Sequence, residues 1–129
     1  MVDLTSKEFD VAGAVEEGAT LHLTHPVTGE LLYDGDQPVT ITLRGLESAS
    51  VRAVAASQAK KEARGVKISD EAKGVQMMVA ATLGWSGLDR DGEPLEFTPD
   101  NVKWLFAEND WIGQQAIEFM KDRANFFTE

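Results

Sequence analysis

The hydrophobic pattern of the chain changes its period at Gly45, and this change is the strongest constraint on the fold. Before Gly45, apolar and polar residues alternate in "ATLHLTHP" and "VTITLRG", as is typical of half-buried strands. After Gly45, "LESASVRAVAASQAKKEARG" is rich in Ala, Glu, Lys and Arg, which favour a helix. We therefore predict an α+β fold, with a small N-terminal antiparallel β-meander followed by about four helices.

The meander is predicted to run from about residue 19 to residue 44. Its middle strand is the short segment "ELLY", and the turns are "HPVTGE" and "DGDQP". Its last strand places Val39, Ile41 and Leu43 on one face. The preceding segment, "FDVAGAVEEG", is less regular, and a further strand around Phe9 and Val11 is an open alternative.

Capping residues predict where the four helices begin. Ser48 and Ser69 are N-caps of the first two, and Thr98, followed by Pro99, begins the third. Asn109 and the acid after it end the third helix and cap the last one, "WIGQQAIEFMKDRANFF".

For the first two helices, the sequence also predicts the exposure of one and the end of the other. The first should be largely exposed, because Val51, Val54 and a few alanines make only a thin apolar face. The second is predicted to continue through Leu83 and to stop at Gly84.

Length and composition indicate one domain over residues 1–129, with a β-rich part (1–45) and a helical part (46–129). The chain has no cysteine, which excludes disulfides and thiolate metal sites. No segment has the roughly 18 apolar residues of a membrane span, and the N-terminus lacks the apolar stretch of an export signal. We therefore expect no membrane association and a cytoplasmic location.

Charge is distributed unevenly along the chain. The net charge of −10 disfavours a nucleic-acid partner, because the phosphates would be repelled. Residues 48–88 nevertheless hold 6 bases against 3 acids. This segregation is either an ordinary solvated surface or a basic surface that meets an acidic partner, for example a second copy in a homo-oligomer.

"LDRDGEPLEFTPDN", residues 88–101, superficially resembles the start of a calcium loop. With Gly92 at position 6 of an EF-hand loop, positions 1 and 12 are Gly87 and Thr98, so two ligands are missing. A β-turn around Asp91 and Gly92 is the better interpretation. We predict no metal site here.

No catalytic constellation is recognisable either. "GWSG" lacks the last glycine of a hydrolase nucleophile elbow, and both histidines precede Ser86, the reverse of that family's order. His22 and His25 should point to opposite faces of a strand, which makes them a poor metal pair. "KGVQ" lacks the remaining residues of a phosphate-binding loop. We predict a protein that is not an enzyme and has no cofactor.

A concentration of aromatic residues near the C-terminus is the remaining candidate feature. Such residues often form the core, but this number exceeds what a small helical pair needs. The alternative is a hydrophobic surface for a partner helix or for self-association. The candidate partner-binding residues are Trp104, Phe106, Trp111, Phe119, Phe126 and Phe127.

Two blocks of the sequence resemble the tail assembly chaperones of long-tailed (siphovirus-type) phages and prophages. The first block is "LHLTHPVTGELL", followed by a turn and "VTITLRGLESASVRAVAASQAKK". The second and more specific block is "ATLGWSGLDRDGEPLEFTPDNVKWLFAENDWIGQQAIEFMKDRANFF". It combines Trp-Ser-Gly, a DGE turn, a Phe before a Pro-started helix and a last helix that ends in Asn-Phe.

The resemblance implies a role in building a phage tail. Proteins of this family coat the tape measure protein in the host cytoplasm, help to recruit tail tube protein and are absent from the mature virion. Many are also made in a longer form by ribosomal frameshifting, and this chain would be the short form. The alternative hypothesis is a structural head–tail or tail component that stays in the phage particle.

Overall fold

The computed structural model describes residues 1–127, and it confirms the predicted α+β class. Residues 128–129, which the predicted domain includes, lie outside the described residues. The described strands are β1 (Ala19–His22), β2 (Tyr33–Asp34), β3 (Gln37–Pro38), β4 (Thr40–Leu43), β5 (Thr82–Ser86), β6 (Asp89–Arg90) and β7 (Glu93–Pro94). The helices are α1 (Val11–Glu17), α2 (Ala49–Ala63), α3 (Asp70–Ala81), α4 (Pro99–Glu108) and α5 (Asp110–Lys121), with 3₁₀ turns at Lys7–Phe9 and Arg123–Phe126.

The predicted meander is present only in part. The predicted middle strand pairs with the end of the first strand through one bridge, Thr24 to Leu31, and Tyr33 pairs with Pro38, but the main sheet has a different strand order. It is antiparallel, with the order β1-β4-β5, so the first and last predicted strands pair directly with each other. The residues between them form a separate β2–β3 hairpin. Leu32 lies between the main sheet and the β2–β3 hairpin. Its backbone N–H donates to the Leu23 carbonyl, and its carbonyl accepts from the Val39 N–H, both at the end of the main sheet.

Residues 82–86 form a strand and not the end of a helix, which corrects the prediction for Leu83 and Gly84. α3 ends at Ala81, and β5 follows without a loop. Cross-strand pairing, with Ile41 opposite Trp85, supplies backbone partners that outweigh the helical pattern. Leu83 is the extra residue of a β-bulge, since Gly84 and Thr82 oppose consecutive residues of β4.

The alternative of a strand around Phe9 and Val11 is also wrong, because residues 11–17 form α1. Asp10 begins this helix by accepting a hydrogen bond from the Gly13 backbone N–H at 2.9 Å. Val15 is buried and its carbonyl accepts from the Gly45 N–H at 2.9 Å. A Cβ at Gly45 would lie 2.8 Å from Val15 Cβ, so only glycine permits this contact.

Three of the four predicted N-caps are confirmed. The side chains of Ser48, Ser69 and Thr98 accept hydrogen bonds from the first turns of α2, α3 and α4. Asn109 precedes α5 as predicted, but its side chain makes no cap there and donates to the Leu105 carbonyl at 2.9 Å. Asn109 therefore closes the end of α4.

The hydrophobic core lies between one face of the main sheet and the helices. Val39, Ile41 and Leu43 are buried on this face, as their alternation predicted. The helices contribute most of the remaining buried residues, including Val51, Met78, Ala81, Val102, Leu105, Phe106, Ile112, Ala116 and Met120. α2 presents mostly exposed residues, as expected. Gln58 of α2 is buried, and its side-chain amide is satisfied by hydrogen bonds to the Lys73 carbonyl and to Gln76. Among the described residues, no helix has the length and apolar character to cross a membrane.

Glu16 joins α1 to the rest of the fold. Its carboxylate accepts a short hydrogen bond from Ser50 Oγ and lies 3.1 Å from Arg44 Nε. Arg44 Nη1 also donates to the Ala80 carbonyl at 2.8 Å, so α1, α2 and α3 meet here. The Ser50 hydrogen bond is the largest cause that lowers the pKa of Glu16, and Arg44 adds to it.

Replacing Glu16 should make stability less dependent on pH. A carboxylate whose folded pKa is lowered stabilises the fold above its unfolded value, here near 4.5, and this contribution is lost as pH falls further. Glu16→Gln should therefore lower the free energy of unfolding at pH 7 more than at pH 3, as measured by urea denaturation. Glu8→Gln, on the exposed 3₁₀ turn, is the control, and equal losses at both pH values would contradict the assignment.

Gly18, at the end of α1, should not tolerate a side chain. Its φ is +89° and ψ is 174°, a region essentially restricted to glycine, and a Cβ would lie 2.7 Å from Leu83 Cδ1 and 2.9 Å from the Leu43 carbonyl oxygen. We expect Gly18→Ala to reduce the free energy of unfolding by about 3 kcal/mol. Gly29→Ala, with φ +75° but open space, should cost only about 1 kcal/mol. Similar losses at both positions would disprove the close contact at Gly18.

Candidate partner-binding surface

The structure separates the six candidate aromatic residues into three environments. Phe106 and Phe126 are buried, with exposed fractions of 6% and 8%. Trp104, Trp111 and Phe119 are half-buried and pack against the core. Only Phe127 is exposed, at 39%. The six residues therefore do not form one continuous exposed surface.

The C-terminal aromatic pair is divided between the core and the surface. Phe126 stacks edge-to-face on Phe119, with ring centroids 5.6 Å apart. The 3₁₀ turn that carries Phe126 is held by Arg123, which donates to both carboxylate oxygens of Glu47 at 2.5 and 2.6 Å. This bond is the main cause that lowers the pKa of Glu47. Of these two candidate partner-binding residues, only Phe127 is therefore exposed.

A second aromatic group surrounds the segment 88–101. Trp85 Nε1 donates to the Leu95 carbonyl at 2.7 Å, and its ring lies edge-to-face on Phe97 at 5.0 Å. The Arg90 guanidinium lies 4.0 Å from the Trp104 ring centroid, a cation–π contact. Phe97 is 45% exposed. It is not one of the six candidate residues, and its ring partner Trp85 lies twelve positions earlier in the sequence. Segment 88–101 thus connects β5 to α4.

The turn at Asp91 and Gly92 is confirmed. Both residues have positive φ (54° and 81°), and they connect β6 to β7 in a two-residue hairpin, as Asp-Gly favours. Among the described residues, no group of three or more His, Cys, Asp or Glu could hold a metal ion.

The histidines serve local structure. His22 Nε2 lies 2.7 Å from the Leu32 carbonyl oxygen, and its ring contacts Tyr33 edge-to-face. His25 Nδ1 accepts from the backbone N–H groups of Val27 and Thr28 at 3.1 and 3.2 Å, which stabilises the turn after β1. Each ring nitrogen named here is already engaged with the backbone.

A groove between α3 and α5 is a further candidate site. It has a volume of about 260 Å³, which is below the ~300–1,000 Å³ typical of small-molecule sites. Its lining residues are Asp70, Glu71, Gly74, Val75, Met78, Phe106, Asp110, Gly113, Gln114 and Ile117. A shallow groove of this size suits side chains of a macromolecular partner better than a cofactor.

One stripe from each helix forms a wall of the α3–α5 groove. The lining residues of α3 recur at helical spacing, at positions 70/71, 74/75 and 78. Those of α5 recur in the same way, at positions 110, 113/114 and 117. Each stripe covers about two turns, or roughly 11 Å. Phe106 from α4 lies between them, so this candidate aromatic residue lines the groove although it is mostly buried.

Gly74 and Gly113 have no evident role within the chain. Glycine inside a helix costs about 1 kcal/mol relative to alanine. Neither has the positive φ that would require glycine. A Cβ at Gly74 would meet nothing within 4 Å, and one at Gly113 would make an ordinary 3.8 Å contact with Phe106. Packing of the described residues therefore gives no reason for glycine at either position, and both glycines widen the groove.

The rim of the groove is acidic. Asp70, Glu71 and Asp110 lie in the first turns of α3 and α5, where they also complement the helix dipoles. Each helix N-terminus contributes about half a positive charge, which leaves the rim negative. Lys73 lies near Asp70 but is paired with Glu62 at 2.9 Å, and this hydrogen bond is the main cause that raises the pKa of Lys73.

Comparison of the chain with protein-family models, with curated proteins and with solved structures finds no match.

The different burial of the two terminal phenylalanines can be tested directly. Phe126→Asp would place a carboxylate in the core, so we expect it to lower the free energy of unfolding by about 4 kcal/mol. Phe127→Asp should cost less than about 1 kcal/mol. Urea denaturation followed by circular dichroism measures both, and equal losses would show that Phe126 is not buried in solution.

Proposed function

We propose that this protein is a tail assembly chaperone of a long-tailed phage or prophage. In this role it binds the tape measure protein in the host cytoplasm, assists assembly of the tail tube around it and is absent from the mature virion. The protein acts without a cofactor and without catalysis. Contact with tail tube protein is made mainly by a longer, frameshifted form.

The observation that carries this proposal is the open apolar groove between α3 and α5. Val75, Met78, Phe106 and Ile117 line it, and Ile117 is 40% exposed. An apolar groove between helices is suited to the apolar face of a partner helix. The sequence resemblance to tail assembly chaperones supplies the identity of that partner, the long helical tape measure protein.

Other features support a role in contacts between proteins. Phe97 and Phe127 are exposed aromatic residues outside the groove, and such residues are enriched in protein interfaces. The net charge of −10 disfavours nucleic acid as the partner. The excess of bases in residues 48–88 supports self-association into a homo-oligomer through contact with the acidic remainder of another copy.

Co-expression with the neighbouring tape measure gene tests the chaperone function. We expect the soluble fraction of the tape measure protein to increase several-fold, because its apolar helix faces would be covered. The matched control carries an early stop codon in the chaperone gene. An unchanged soluble fraction would contradict the proposal.

Mass spectrometry of purified phage particles separates this function from its alternative. A chaperone should be absent from the particles, whereas a structural head–tail or tail component should be present in many copies. Abundant peptides of this chain in purified particles would therefore favour the structural role.

A further inference from the structure

We infer that the α3–α5 groove binds an amphipathic helix that carries Lys or Arg beside its apolar face, with the partner approaching the backbone at Gly74 and Gly113. This inference deepens the proposed function, on which it rests for the identity of the natural partner. The chemistry of the partner follows from the shape, charge and glycine positions of the groove.

The glycines indicate how closely the partner approaches. Gly74 is on α3 and Gly113 on α5, so the two walls each lack a side chain. Beyond its chain neighbours and the backbone of its own helix turn, a Cβ at Gly74 would meet no described atom within 4 Å, so the space beside Gly74 is open. Small residues let a second helix pack at short interaxial distance. A helix laid between α3 and α5 would use this space.

The length and lining of the groove favour a helix over an extended segment. Each wall presents about two helical turns, and Val75 and Ile117 offer apolar contacts between them, while Met78 and Phe106 are largely buried. An amphipathic helix inserts apolar side chains at positions i, i+3 or i+4, and i+7, which span two turns. An extended strand would instead need a free sheet edge, and the groove residues lie on helices.

Charge determines which amphipathic helix fits. Asp70, Glu71 and Asp110 all lie in the first turns of their helices, and the residues that line the groove include no base. An incoming helix with Lys or Arg at its apolar boundary would pair with these carboxylates, whereas one with Glu would be repelled. The same charges would steer association at low salt.

Two synthetic probes test the inference with the full chain. Both are 18-residue amphipathic helices with a leucine face, and their polar faces carry either Lys or Glu. Isothermal titration calorimetry should show at least tenfold tighter binding of the Lys probe. Equal binding of the two probes, or no binding of the Lys probe, would overturn the inference.

Gly74→Leu is the most informative variant, because it should stabilise the protein while blocking the groove. Leucine is a much better helix former than glycine, so we expect the Tm to rise by about 4 °C. Affinity for the Lys probe should fall at least tenfold. Ala53→Leu, on the exposed surface of α2, adds the same side chain elsewhere and should leave affinity unchanged. An unchanged affinity of Gly74→Leu would overturn the inference.

Charge and apolar variants give independent checks. The double variant Glu71→Gln with Asp110→Asn should weaken Lys-probe binding several-fold and reduce its salt dependence. Asp34→Asn with Asp36→Asn, in the β2–β3 hairpin outside the groove, is the matched control. Ile117→Ser should also weaken binding. Loss of affinity in the hairpin variant but not in the groove variants would place the binding site elsewhere.

The co-expression assay distinguishes failure of this inference from failure of the proposed function. If the wild-type chain and Gly74→Leu solubilise the tape measure protein equally, the groove is not the binding site, although the chaperone function stands. If the wild-type chain has no effect on solubility, the chaperone function fails. The probe titrations then decide by themselves whether the groove binds a basic amphipathic helix.

Discussion

The pairing of β5 with β4 is the constraint on which the arrangement of the helices depends. Because α3 ends at Ala81 and β5 begins at Thr82, the position of α3 is tied to the sheet without an intervening loop. The β6–β7 hairpin then leads the chain into α4, which contacts both α3 and α5. Phe106 of α4 thereby lies between the other two helices. The groove is a consequence of how β5 joins the sheet.

Features set by neighbouring residues could be predicted from the sequence. Ser48, Ser69 and Thr98 cap helices because a hydroxyl needs only the backbone N–H three residues later. The hairpin at Asp91 and Gly92 likewise follows from two residues that tolerate positive φ. Such interactions require no knowledge of distant contacts, which is why the order of most helices and turns was correct.

Features that depend on distant contacts could not be predicted in this way. The segment containing Leu83 and Gly84 continues a helical apolar pattern, and only its pairing with β4 makes it a strand. Aromatic density along the chain also does not show which face is covered. Phe126 and Phe127 are adjacent, yet one packs on Phe119 and the other is exposed. Exposure depends on the fold, and the six candidate residues therefore do not share one exposed surface.

Two of the glycines that lie within helices, Gly74 and Gly113, show where local and global requirements disagree. In most of the chain, capping, turn residues and the apolar pattern agree with the fold, as expected of a sequence that specifies one structure. Gly74 and Gly113 weaken their helices without relieving any contact in the described chain. Natural proteins break local rules mainly at functional sites. Because both exceptions lie on one groove, beside its acidic rim, they support a binding role there more strongly than the number of aromatic residues does.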